Sequence, residues 1–489
     1  MQRVLLLRSS NAGSTGTAQA VPRLRTLLLA MSVGAAMIAP RPALALGLVD
    51  AYEAALGHDP ILAGAAKQKE ADDANVGIGR SYLLPNVSAN YARYRDITGT
   101  TSYVGPPYGV VSEHQVYGAY SEGVSLRQPL INFEGIARYR YGKAIALAGD
   151  ATFDDSRQDL LVRVLTAYTD TVFAEDQLSL ALAQKNAFDE QYAGNQAMFK
   201  NGEGTRTDIL ETKSKAALAA ADVADARDSL DNAAHALEAL TGLPASLDVA
   251  GLDRLKDDFQ PVLPEPLSFD HWHDVALENN AQLIAGRHSV EAAQQKMKIV
   301  QAGFYPRVDL VASVGQNQST QTNAIGTRYL TKSVGVEVTI PLYSGGLVRA
   351  STQQEQANYE RAQFELQDKT DKVLLDLRKQ YNQCVSSMTR IDSLKSAVES
   401  AMLQIVATRK SVQAGVRTNA DVLTATQQLY SAKRDLAHAR YKFLLAELQL
   451  KHAAGILTEQ DLVEIAQSFV PPAQAAPLAN AVVPTARVH

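Results

Sequence analysis

The chain repeats itself at an offset of 213 residues, and no other feature limits its fold so strongly. Asn201-Gly202-Glu203-Gly204-Thr205-Arg206-Thr207-Asp208-Ile209-Leu210 aligns with Ala414-Gly415-Val416-Arg417-Thr418-Asn419-Ala420-Asp421-Val422-Leu423. Gly, Thr, Asp and Leu stay in register. Each copy of a repeat is one structural unit. A unit this long is half of a duplicated fold, not one turn of a solenoid. Length alone would suggest about three domains. The duplication argues instead for one fold made of two halves.

Both halves follow one order. Residues 46–242 read as a helix (48–80), a β-hairpin (83–130), a long helix (134–200) and a second helix (207–240). A proline-rich joint, 243–268, holds Pro244, Pro261, Pro264 and Pro266. Residues 269–457 repeat the order: helix (270–303), hairpin (306–341), long helix (347–413) and helix (420–455). Proline ends the elements at Pro85, Pro129, Pro306 and Pro341, because it cannot continue a hydrogen-bond ladder. The tail, 458–489, is Ala/Pro-rich from Pro471 and is expected to be largely disordered.

The helices carry heptads. Val422, Leu429, Leu436, Phe443, Leu450 and Leu457 recur every seven residues, and alanine stands three positions after each of the first five. Ile209, Ala216, Val223, Leu230 and Leu237 echo this in the first half, with Thr212, Ala219, Ala226, Ala233 and Leu240. Such a repeat predicts left-handed coiled-coil packing, and the alanine seam predicts closely spaced axes. The hairpins alternate at period two. Val334, Val336, Val338 and Ile340 face one way; Gly335, Glu337 and Thr339 face the other. Val308, Leu310, Ala312 and Val314, and Val87, Ala89 and Tyr91, behave alike. This is the pattern of outer-membrane strands, although a small soluble sandwich would show it too.

The first 45 residues contain five arginines and no acid, an apolar run from Leu27 to Ala39, and Ala43-Leu44-Ala45. They read as a secretory signal cleaved after Ala45; a run that short does not span a bilayer. Removing those five leaves 42 basic against 52 acidic residues, a net charge of −10. Nothing there favours nucleic acid. Cys384, the single cysteine, cannot form an internal disulfide and stands in a helical run as a structural thiol. His271-Trp272-His273-Asp274 could hold a metal, but reads better as a helix start and packing cluster. No Gly-x-Ser-x-Gly or phosphate loop is present, so no enzyme and no cofactor is expected.

Two strands per half give about four per chain. Four cannot close a barrel, and open edges are excluded from hydrocarbon. If these strands span a membrane, several copies must share one barrel. Three copies give twelve strands and room for a water-filled lumen.

Here the residues resemble a known family, the TolC family of outer-membrane efflux and export ducts. The likeness covers about 46–460. It is most specific at Ala414-Gly415-Val416-Arg417-Thr418, Asp421-Val422-Leu423, Leu429-Tyr430, Ala432-Lys433, Ala439-Arg440-Tyr441 and Ala454-Gly455. Pro341-Leu342-Tyr343-Ser344-Gly345-Gly346 and Gln128-Pro129-Leu130 look like the family's barrel-to-helix turns. The resemblance implies an α+β membrane protein: a homotrimer with a twelve-stranded β-barrel in the outer membrane and a helical barrel across the periplasm. It implies outer-membrane lipid, a periplasmic adaptor and an inner-membrane ABC transporter or other efflux pump as partners. It assigns Asp421 to the entrance constriction, Asp208 and Arg417 to a closing network, and Gly202, Thr205, Gly415 and Thr418 to tips that meet the adaptor. Two departures stand out. Thr424 replaces a second acidic residue, and Val412 replaces an aromatic partner. Three converging Asp421 carboxylates would raise one another's pKa and attract cations. As a simpler role, Asp421 and Asp208 would cap their helices. Type I protein secretion is the preferred function. Small-molecule efflux is the alternative, and a pore-free periplasmic coiled-coil adaptor or scaffold the reading from another class.

Overall fold

The computed structural model describes residues 46–471 apart from 108, 245–250, 266–267 and 320–324. The leader expected over 1–45 lies outside them. The first half comprises α1 (Leu48–His58), α2 (Pro60–Ser81), β1 (Asn86–Gly105), β2 (Gly109–Ile131), α3 (Phe133–Lys200) and α4 (Arg206–Thr241). A short strand, β3 (Arg254–Leu255), lies in the joint. The second half comprises α5 (Phe269–Asn279), α6 (Ala281–Gln301), β4 (Arg307–Gln318), β5 (Arg328–Thr339), α7 (Leu347–Gln413) and α8 (Asn419–Ala454), followed by α9 (Glu459–Ala466) and β6 (Phe469–Val470).

Two helices read as continuous are each broken once. Between α1 and α2, Asp59 accepts the Leu62 N–H at 2.9 Å and Pro60 occupies the first helical position. Between α5 and α6, Asn280 accepts the Leu283 N–H at 3.1 Å. Side-chain caps make each break cheap in hydrogen bonds, which the apolar periodicity does not reveal. The ends of α4 and α8 fit against these breaks. Gly242, left-handed at φ 69°, lies against the His58 ring; a Cβ there would stand 2.6 Å from it. Gly455, at φ 75°, lies against the Asn279 and Asn280 backbone, and Asn280 Nδ2 donates to the Ala453 carbonyl at 2.9 Å. The short helices therefore stack end to end. The α2 and α4 helices flank successive parts of α3, and α6 and α8 flank α7. Each long helix extends about 100 Å at the usual rise.

The expected disorder over 458–489 does not hold for its first part. A Thr458–Asp461 capping box starts α9, whose Leu462 and Ile465 are buried, and β6 pairs with β3. Residues 472–489 lie outside the described residues. Around this β3–β6 pair sits the main core, built on Tyr168, Trp272, Leu377, Ile391, Phe443 and Phe469. Cys384 is buried there, and burial pushes its thiol up to about 12. Trp272 is core and His273 pairs with Asp274 at 3.1 Å; among the described residues no His, Cys, Asp or Glu group could hold a metal.

One antiparallel sheet has the order β1-β2-β4-β5. Its register places Ala89, Val124, Val314 and Lys332 in one row, and Val87, Leu126, Ala312 and Val334 in the next. One face is thus largely apolar near the sheet's base. The other carries Ser88, Ser125, Ser313 and Ser333, with hydroxyl pairs at 2.9 and 2.7 Å. On that polar face Arg127 donates to Asp309 at 2.7 Å and to Glu337 at 3.1 Å, and Arg307 also reaches Asp309. Charges on β2, β4 and β5 are thereby tied together.

Candidate functional site: the paired helical tips

The two conserved-offset turns within the chain fold alike. After α3, Glu203 N–H donates to the Met198 carbonyl at 2.9 Å and Gly202 is left-handed at φ 81°. After α7, Val416 N–H donates to the Ser411 carbonyl at 2.9 Å and Gly415 is left-handed at φ 72°. These six-to-one bonds close both helices on a glycine, because an L side chain is strained at that φ. The next helices begin alike, each threonine N–H donating to the aspartate three residues on. The Asp208 N–H donates to Thr205 Oγ1 at 3.1 Å, and the Thr205 N–H returns to Asp208 Oδ2 at 3.1 Å. In the second copy the Thr418 N–H donates to Asp421 Oδ2 at 2.9 Å. The predicted capping role of Asp208 and Asp421 is therefore present at both tips.

The electrostatics follow from the cap. The Thr418 backbone and hydroxyl donors hold the Asp421 carboxyl below its usual range, with a smaller contribution from Arg417. Within one chain the shift is downward, opposite to the rise expected of three converging carboxylates. Asp421 and Thr424 are exposed one turn apart on α8. Arg417 is also exposed, and among the described residues it makes no ion pair with Asp208. A single chain thus brings each aspartate to its threonine but does not join the two tips through these groups.

Sequence reasoning missed the polar ties that fix the tips and the middle of the helices. Asn195 on α3 donates to Thr212 on α4 at 2.7 Å, buried beneath the first tip. Lys215 on α4 reaches Gln427 on α8 at 3.0 Å, joining the halves. Farther along, the Tyr441 hydroxyl donates to the buried Asp176 at 2.7 Å, and Arg254 pairs with Glu175. Burial raises Asp176 to about 6, against the restraining hydrogen bond from Tyr441 and the charge of Arg254. The repeat could have flagged Asn195 and Thr212: their counterparts at the 213-residue offset are Thr408 and Ala425, so the tie exists in one half only.

A duplicated helical hairpin with capped tips, continuous with a two-faced antiparallel sheet, is an architecture shared with solved outer-membrane channels. A model of the family described as "Outer membrane efflux protein" matches residues 51–243 and 272–456, and the chain belongs to that family. It is 42% identical to alkaline protease secretion protein AprF of Pseudomonas aeruginosa over 88% of both chains. It is 35% identical to proteases secretion protein PrtF of Dickeya chrysanthemi over 94% of this chain and 96% of that one. The crystal structure of the Campylobacter jejuni CmeC outer membrane channel shares the fold, with a TM-score of 0.73 at 16% identity over 86% of this chain and 89% of that one. The family resemblance drawn from the tip and turn residues is borne out.

Proposed function

We propose that three copies of this chain close a twelve-stranded β-barrel in a Gram-negative outer membrane, continued by a helical barrel into the periplasm, as the exit duct of a type I protein secretion system. The assignment to protein secretion is carried by the identities of 42% and 35% to two proteins named for protease secretion. Four strands with open β1 and β5 edges support closure by several copies, since such edges are not tolerated in hydrocarbon. The long helix α7 supports it too. It leaves Phe364, Leu375 and Leu403 at least 70% exposed on the single chain. In this reading the tips at Gly202–Thr205 and Gly415–Thr418 receive a periplasmic adaptor, and an inner-membrane ABC transporter supplies the cargo. Asp421 rings the entrance, and Arg417 and Asp208 help hold it closed across copies. Small-molecule efflux is the second reading, favoured by the family's description.

Two measurements test this. Deleting the gene should remove a secreted protease from the medium and leave drug tolerance unchanged; the reverse pattern would assign efflux. In planar bilayers, Asp421→Asn should weaken block by trivalent cations applied from the periplasmic side, because attraction to a carboxylate ring scales with ion charge. Unchanged block would leave Asp421 as a helix cap and place the constriction elsewhere.

A further inference from the structure

The four-stranded part of the sheet ends at one register row. Arg93 on β1 pairs with Tyr120 on β2, Tyr120 with Gln318 on β4, and Gln318 with Arg328 on β5. Among the described residues β4 and β5 end at that row, and β1 and β2 continue as a two-stranded ribbon. A ribbon exposes unpaired backbone groups along both edges, which hydrocarbon does not tolerate. If the sheet is part of an outer-membrane barrel, as proposed above, the hydrocarbon boundary lies at or below this row.

The face that is apolar nearer the base gains charge over the rows leading up to this one, from the Lys332 row onward. Arg93, Arg95, Arg328 and Lys332 all project from it by strand alternation, and all are exposed. Among the described residues none of them makes an ion pair. Glu122 is the single acid on the same face in the rows they span. The Arg328 guanidinium lies 6.0 Å from the Tyr120 ring centroid, and Tyr120 accepts a hydrogen bond from Gln316 at 2.7 Å, so the row has a built aromatic neighbour. The four cations are also divided between the two edge strands, β1 and β5. Closing the barrel sets β5 of one copy beside β1 of the next, which gathers them at each seam.

We propose that Arg93, Arg95, Arg328 and Lys332 form a site for the phosphate groups of outer-leaflet lipid at each seam between copies. The charge sign, the headgroup level and the outward direction all fit a lipid phosphate. Arginine offers paired donors to its oxygens and lysine a point charge. This assignment rests on the barrel reading and adds a ligand to its outer surface.

The test uses intact trimers in detergent, incubated with doubly phosphorylated lipid A, with its dephosphorylated form, or with inorganic phosphate, and bound lipid is counted by native mass spectrometry. The phosphorylated lipid should be retained at least about tenfold better than the dephosphorylated one. The pairs Arg93→Gln with Arg95→Gln, and Arg328→Gln with Lys332→Gln, should each lower retention by roughly fivefold or more, the scale of one or two surface cations at an anionic interface. Arg93→Lys with Arg95→Lys should retain most of it. Equal retention of both lipids, or glutamine variants that bind like the parent, would overturn the proposal. So would displacement by inorganic phosphate alone, which would assign a free-anion site. Glutamine variants that assemble poorly yet still hold the phosphorylated lipid would mark the cations as guards of the strand edges instead. Conductance of the same trimers separates the two levels. Conducting trimers without phosphate preference overturn the lipid site alone; failure to trimerise or conduct overturns the channel reading with it.

Discussion

Asp176 shows how one buried carboxylate sets a pH dependence. It is 3% exposed, and burial raises it from 3.8 to about 6. Glu175 and Asp257 push the same way; the Tyr441 hydroxyl and Arg254 hold it down. A carboxyl with a raised folded pKa binds its proton more tightly when folded. Its ionisation therefore costs stability in full above about pH 6, and the cost fades as pH falls toward 3.8. Asp176→Asn keeps an acceptor for Tyr441 and removes the charge. It should raise stability at neutral pH by about 1–3 kcal/mol, with the gain shrinking at pH near 5. Thermal unfolding of parent and variant at both pH values checks this, and parallel curves would place the pH sensitivity elsewhere. At Asp421 the sign is reversed. Thr418→Ala should let its pKa rise toward the ordinary carboxyl range, visible by NMR titration of that side chain; an unmoved pKa would show that the threonine backbone donor suffices.

At the scale of elements, close approach is built from small residues. Gly135, Gly142 and Gly149 recur every seven residues on α3; Gly142 and Gly149 lie against α2, and Gly135 against Tyr82 and Leu83 just past its end. A Cβ on Gly142 would stand 2.2 Å from the Asn75 carbonyl oxygen, a backbone atom that cannot swing aside. Gly142→Ala should force the two helices apart at a cost of about 1–3 kcal/mol. Gly194, on the same helix, has nothing within 4 Å, and Gly194→Ala should instead stabilise by about 0.5–1 kcal/mol. Opposite shifts in apparent Tm are expected; equal shifts would mean that α2 and α3 yield freely. Four of the five alanines in the α8 seam are buried, Ala425, Ala439 and Ala446 each 2% exposed, while Ala432 is only partly covered. Ala439→Leu should cost about 1–3 kcal/mol through overpacking, read from the apparent Tm. An unchanged melting profile would place Ala439 beside space that the single chain does not show.

On the scale of the whole molecule, the chain is an incomplete object by physical criteria. Its sheet has two free edges, and its 67-residue helix α7 leaves large apolar side chains uncovered. Detergent-solubilised protein treated with a bifunctional crosslinker should give a ladder that stops at three. A ladder ending at one or two would remove the shared barrel, and with it the seam at which the basic residues gather.

The sequence by itself determined the duplication, the long helices, the tip turns and the faces of the strands. Each of those is a local property. Glycine at Gly202 and Gly415, threonine three residues before aspartate, and period-two or period-seven patterning act within a few residues of themselves. The breaks at Asp59-Pro60 and Asn280 were less legible, because a side chain that caps a new helix leaves the apolar period running through it. Only the tertiary structure decided the rest. It drew residues 459–470 into the core by pairing β6 with a two-residue strand in the proline-rich joint, brought Asp176 against Tyr441 265 positions away, and tied Arg127 to Asp309 and Glu337 across three strands. Those contacts depend on register and on the stacking of helix ends. Neither is fixed until the two halves pack on each other.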